Sequence, residues 1–201
     1  MSAAILALTL SACGGGSGKT VDKLSAMQAD IAVWKMGDEA QKAYPHMSLE
    51  KAKLRYANQK LFEAFRQYEA PEDKQLLAGL VYLGFAQLNT RARVAYCGNM
   101  NVDITGFSNA LKRQHSGEER AIDIVLAHHG YTRDQIWEKQ KRHAMASVKA
   151  DLMAAGGHNG SYSACSALKK KPQKFVSQMH FSKRLPQASR QLKTAMKTKR
   201  S

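Results

Sequence analysis

Residues 76 to 88 read Leu76-Leu77-Ala78-Gly79-Leu80-Val81-Tyr82-Leu83-Gly84-Phe85-Ala86-Gln87-Leu88, without one charged side chain. The stretch is too long for a typical buried strand, and what precedes it is a helix start. Pro71 suits the first helical turn, and Glu72 and Asp73 complement the positive end of a helix dipole. Apolar side chains surround such a helix nearly completely, so other helices must cover it on all sides. It is too short to cross a bilayer, and Arg91 and Arg93 follow closely. The helix is expected to run to about Cys97, with Gly98 and Asn99 closing it. Gly79 and Gly84, about one turn apart, would let a neighbouring helix approach closely.

Working outward, the same grammar recurs. Val21, Leu24, Met27, Ile31 and Trp34 share one helical face between Thr20 and about Tyr44, and Pro45 ends that helix. Ser48 is placed to cap a second helix, Leu49 to about Glu69, which turns Leu54, Leu61, Phe65 and Tyr68 inward. Beyond the central helix, Asp103 opens a short helix to about His115. Ser116 with Glu119, and Thr132 with Gln135, have the spacing of capping boxes. They predict helices to His129 and to about Ala155, hinged at Gly130-Tyr131. Ser161 to Lys170 is expected to form the last packed helix. Only a weak alternation at Phe175 to Phe181 resembles a strand. The expected fold is therefore an all-α bundle of about five to seven helices.

Composition fits one globular domain: 201 residues, 44% hydrophobic, 23% charged, and only four prolines. The net charge of +15 is unevenly placed. Residues 152 to 201 hold 11 Lys or Arg and no Asp or Glu, which leaves 15 − 11 = +4 for the rest. This predicts a nearly balanced body, residues 20–170, followed by a basic tail, residues 171–201, partly disordered or helical. Deleting such a tail should leave the body able to keep a protein partner.

At the N-terminus, residues 3 to 12 are apolar and end in small residues before Cys13. Leu10-Ser11-Ala12-Cys13 resembles the lipobox of bacterial lipoproteins. The resemblance implies a signal peptide over residues 1–12, cleavage before Cys13, and a diacylglycerol on its sulfur. A basic leader is missing from the pattern, since the first Lys or Arg is Lys19. Residues 13–19 then form the lipidated cysteine and a glycine-rich tether. Gly14 rather than Asp after the cysteine implies, by lipoprotein sorting, the outer membrane facing the periplasm in a Gram-negative host. Gly18-Lys19-Thr20 mimics the end of a phosphate-binding loop, but the glycine required five residues earlier is Cys13. Nucleotide binding is set aside, and no cofactor is expected.

Removing Cys13 from the count leaves a pair, Cys97 and Cys165. An even pair in an exported chain predicts a disulfide bracing the bundle.

Candidate chemistry is sparse. His128, His129 and His143 lack the spacing of a metal site, and no metal is expected. His115, Glu119 and Asp123 recur every four residues and share a helix face, where acid–base work or simple intrahelical pairing with Arg120 is open to them. Ser163 and Ser166 lie in no nucleophile-elbow motif. Trp34 and Trp137 suit packing. The basic run is Lys169, Lys170, Lys171, Lys174, Lys183, Arg184, Arg190, Lys193, Lys197, Lys199 and Arg200. Its natural counterparts are anionic lipid, lipopolysaccharide, cell-wall polymer or nucleic acid. The leading expectation is a membrane-held, non-catalytic binding or scaffolding module for a protein partner, with an inhibitor or immunity protein as one concrete version. A nucleic-acid-binding envelope protein is the alternative, and an envelope enzyme using the His115 face is the third.

Overall fold

The computed structural model describes Met27 and residues 37 to 198. Cys13, the glycine tether and most of the helix expected from Thr20 lie outside the described residues. The regular structure of the described residues is all helical, with no strand among them and a Cys97–Cys165 disulfide. The order begins α1 (Gly37–Ala43), α2 (Leu49–Gln67), α3 (Pro71–Gln87), a π-helical turn (Leu88–Ala92) and α4 (Arg93–Gly98). It continues with α5 (Thr105–Gln114), α6 (Ser116–His128) and α7 (Arg133–Gly156). A 3₁₀ turn (Gly157–Asn159) leads into α8 (Gly160–Lys170), α9 (Pro172–Val176), α10 (Phe181–Arg184) and α11 (Pro186–Thr198). This exceeds five to seven segments, because the long central helix is divided and three helices follow Lys171.

The central helix is where the sequence places it. Leu76, Leu77, Leu80, Tyr82 and Leu83 of α3 are all buried. Leu61 and Phe65 of α2, Ile122, Val125 and Leu126 of α6, Ile136 of α7, and Phe181, Leu185 and Leu192 of the C-terminal helices pack around it. A second core joins Cys97, Ile104, Phe107, Leu111, Val148, Leu152, Cys165, Leu168 and Val176. Phe85 packs against both. A Cβ on Gly79 would lie 2.7 Å from Ile122 Cδ1 and 3.3 Å from Val125 Cγ1, so its bare backbone is what admits α6. Gly84 has no such role, since a Cβ there would meet only Gln140 Oε1, at 4.0 Å. Leu54, expected inside, is exposed, as is Phe62.

Between α3 and α4 the helix ladder slips, and Arg93 N–H donates to Leu88 O five residues back. Two side chains compete with the backbone just there. Asn89 Nδ2 donates to Phe85 O at 2.8 Å and Thr90 Oγ1 to Ala86 O at 2.8 Å. Asn89 Oδ1 in turn accepts from Arg93 Nε at 2.8 Å, and Arg93 pairs with Asp151 of α7 at 3.1 Å. The slip therefore orients a largely buried arginine toward the second core's outer helix.

The segment from Lys171 is not an appendage. Val176, Phe181, Leu185, Ala188, Leu192 and Ala195 are buried, and α11 packs on α3 and α6. The expected boundary at residue 170 cuts through the domain. At Phe175 to Phe181 the chain is helix and turn rather than strand.

Candidate functional site

The His115–Glu119–Asp123 face resolves into two separate structural devices. His115 is buried at the junction of α5 and α6. Its Nδ1 lies 3.0 Å from Leu111 O and its Nε2 accepts the Phe181 N–H at 3.1 Å. These partners fix the neutral tautomer with the proton on Nδ1. The ring also stacks edge-on against Phe85, 5.3 Å between centroids. Among the described residues, the ring makes no hydrogen bond to the Glu119 or Asp123 side chain.

Glu119 and Asp123 instead face α7, where Arg133 clamps both. Arg133 Nη1 donates to Glu119 Oε2, Nη2 to Glu119 O at 2.8 Å, and Nε to Asp123 Oδ1 at 2.7 Å. Arg120, the partner expected along the same helix, is bypassed. Glu119 also accepts from Tyr82 Oη at 2.8 Å, which ties α3 into the clamp. Burial, with the Glu119 charge beside it, pushes the Tyr82 hydroxyl well above its usual value. A raised folded value means that this stabilisation is complete below the unfolded tyrosine value, about 10, and declines as pH rises past it. The unfolding free energy from urea titration should fall above pH ~10, by at most ~1.4 kcal/mol per pH unit from this group. Tyr82→Phe should flatten that decline. Parallel pH profiles for the two proteins would disprove the assignment.

Of the two predicted capping boxes, only one forms. Thr132 Oγ1 accepts from Gln135 N at 3.2 Å, and Gln135 Oε1 accepts from Thr132 N at 2.8 Å. Ser116 instead begins α6 as a helical residue, because Glu119 is engaged by Tyr82 and Arg133. Sequence reasoning also missed Glu118. It is buried, accepts from Ser189 Oγ at 3.2 Å and pairs with Lys193 Nζ at 3.3 Å, joining α6 to α11. Gln87 Nε2 donates to Arg133 O at 3.0 Å, while its buried Oε1 has no hydrogen-bonding partner. A buried acceptor left without a donor costs stability. His128 and His129 stack on each other, and His129 Nε2 lies 3.3 Å from Glu72 O. Among the described residues no three metal-ligating side chains converge. Trp137 packs on the second core beneath the Arg91 guanidinium, 5.6 Å from the ring centroid. Ser163 and Ser166 lie half-buried on α8.

An open depression of about 330 Å³ lies beside the end of α4, lined by Val94, Gly98, Asn101, Val102 and Asp103. Its only carboxylate, Asp103, accepts the Thr105 N–H at 2.8 Å, which holds it below the usual carboxylate range.

From Lys169 on, the charges that face outward are basic. Lys169, Lys170, Lys171, Lys174, Lys183, Arg190 and Lys193 are exposed and Arg184 is half-buried. Arg184 pairs with Glu50 at 3.6 Å and Lys193 with Glu118. The other six enter no ion pair with a described acid. The Lys197 side chain, Lys199 and Arg200 lie outside the described residues. In α11 the helix period separates roles: Ala188, Leu192 and Ala195 face the core while Arg190 and Lys193 face solvent. Compared with known proteins, the chain matches no family model, no curated protein and no solved structure.

Proposed function

We propose that the protein is a cell-envelope lipoprotein, anchored through an acylated Cys13, that acts as a non-catalytic binding or scaffolding module. Its basic C-terminal segment holds an anionic surface and leaves the rest of the bundle for a protein partner. The observation that carries this reading is the exposed, largely unpaired run from Lys169 to Arg190, kept on the outside although its helices enter the core. Such cations contribute only ~0–1 kcal/mol each to folding, so their concentration on one acid-free segment finds its use in an external anion. The buried disulfide supports residence outside the reducing cytoplasm.

Fractionating bacterial cells that express the chain tests anchor and surface together. The wild type should stay with membranes at low and high salt and carry the mass of an acylated Cys13. A Cys13→Ser chain should be held at low salt and released at high salt. Adding Lys169→Gln, Lys170→Gln, Lys171→Gln and Lys174→Gln should make it soluble in both. An intact Met1 on a soluble wild-type chain would overturn the anchor, and a Cys13→Ser chain free at low salt would overturn the basic surface.

A further inference from the structure

The hairpin formed by α7 and α8 ends in a tip poor in charge. From Leu152 to Leu168 the only titratable side chains are His158, Tyr162 and the disulfide-bonded Cys165. The helices are in van der Waals contact at this end: a Cβ on Gly156 would lie 3.4 Å from Ser161 N and 3.8 Å from Ala164 Cβ. Two large side chains are left in solvent beside this seam, Met153 at 53% and Tyr162 at 61% exposure. A core-facing purpose is ruled out for both, since Leu152, Ser161, Ala164, Cys165 and Leu168 already fill the inward positions.

Helical register links the tip to the basic run. Tyr162 and Lys169 are seven residues apart on α8, hence within about 20° of each other around the axis and roughly 10 Å apart along it. Lys170, Lys171 and Lys174 continue from that end, all exposed. The nearby acids are accounted for: Asp151 is paired with Arg93, and Asp103 is engaged by Thr105 N–H and lies in the field of Lys169. An exposed tyrosine and methionine, an uncharged surround and a lysine row two turns away match a bilayer surface. There an amphipathic aromatic ring rests at headgroup level while cations meet phosphate.

We propose that this tip is a bilayer-contacting surface for anionic phospholipid, with Met153 and Tyr162 seated at the headgroup–acyl boundary and Lys169, Lys170, Lys171 and Lys174 on the headgroups. This rests on the reading that the basic C-terminal segment holds an anionic surface, and it names the surface. The exposed apolar pair favours lipid over nucleic acid, because a polyanion without an apolar layer gives Met153 nothing to bury against.

The test uses the full chain carrying Cys13→Ser with its disulfide intact. Its probes are vesicles of phosphatidylcholine with or without phosphatidylglycerol, heparin as a soluble polyanion, and duplex DNA. Vesicle partitioning should require phosphatidylglycerol and weaken with salt. Met153→Ser with Tyr162→Ser should lower it about tenfold, with the thermal melt and heparin retention unchanged. Tyr162→Trp should give added emission that shifts to the blue only on the anionic vesicles, a readout that does not depend on the serine variants folding. Retention on heparin with no emission shift, or with partitioning indifferent to both serines, would overturn the tip while leaving the anion-holding reading intact. Tighter binding to DNA than to vesicles, unaffected by the serines, would overturn it in favour of nucleic acid. Failure to bind heparin and vesicles alike would remove both readings.

Discussion

Truncation after Lys170 should leave a chain without cooperative unfolding. The removed segment supplies Val176, Phe181, Leu185 and Leu192 to the two cores, all buried. Burying a side chain of this size contributes roughly 1.5–3 kcal/mol, so the four together approach the ~5–15 kcal/mol net stability of a whole domain. The loss also strands polar groups. Glu118 of α6 loses Ser189 and Lys193, and His115 Nε2 loses the Phe181 N–H. Near-UV circular dichroism and thermal melting of residues 1–170 beside the full chain are the check. The truncated chain should lose its aromatic signal and its sharp transition. Neutralising Lys183 and Arg190 to Gln should change neither, since both lie exposed outside the packing. A cooperative melt of the truncated chain near that of the intact one would show that the C-terminal helices are dispensable. It follows that partner binding must be dissected by surface substitutions, because deleting the basic segment also deletes part of the core.

That segment shows where the sequence misleads. The spacing of Ala188, Leu192 and Ala195 is helical, but two of the three are alanines, whose small apolar signal is outweighed by the surrounding lysines. Phe181 sits in a four-residue helix, too short to show any period. A charge count therefore pointed to a tail where the periodicity encodes an amphipathic helix. The central helix was legible for the opposite reason, since its apolar surround and its proline and acid start need no partner to be read. The disulfide was legible from parity and compartment. The capping boxes divide along the same line. Thr132 and Gln135 satisfy each other locally, whereas Glu119 found Tyr82 and Arg133 on other helices, which spacing along one helix does not reveal. The same holds for the candidate site. The identity of the basic residues could be read directly, but the role of His115 depended on Phe181, 66 residues away. The exposed pair Met153 and Tyr162 carried no sequence signal, because only packing shows which apolar side chains are left over.

Replacing both Cys97 and Cys165 by Ala should lower stability by roughly 4 kcal/mol, the chain-entropy value for a loop of this length. The bond spans 68 residues and joins the end of α4 to α8, with both sulfurs fully buried in the second core. Between the two cysteines the chain runs through α5, α6 and α7, so the unfolded state of the oxidised protein is restricted over a third of its length. The urea midpoint should drop in the double variant, and reductant should bring the wild type down to about the same value while leaving the variant unmoved. Equal midpoints for oxidised wild type and variant would mean that the brace contributes nothing to the folded bundle. Because a loss near 4 kcal/mol is a large share of a domain's stability, the bond also links fold to compartment. Chain made in a reducing cytoplasm should be the weaker species, and chain that reaches an oxidising space should gain its full stability there. The basic helices follow the same logic, since α8 carries Cys165 at its buried face and Tyr162 and Lys169 at its exposed one. Fastening α8 to α4 therefore also fixes the surface it presents, and vesicle binding should weaken on reduction along with stability.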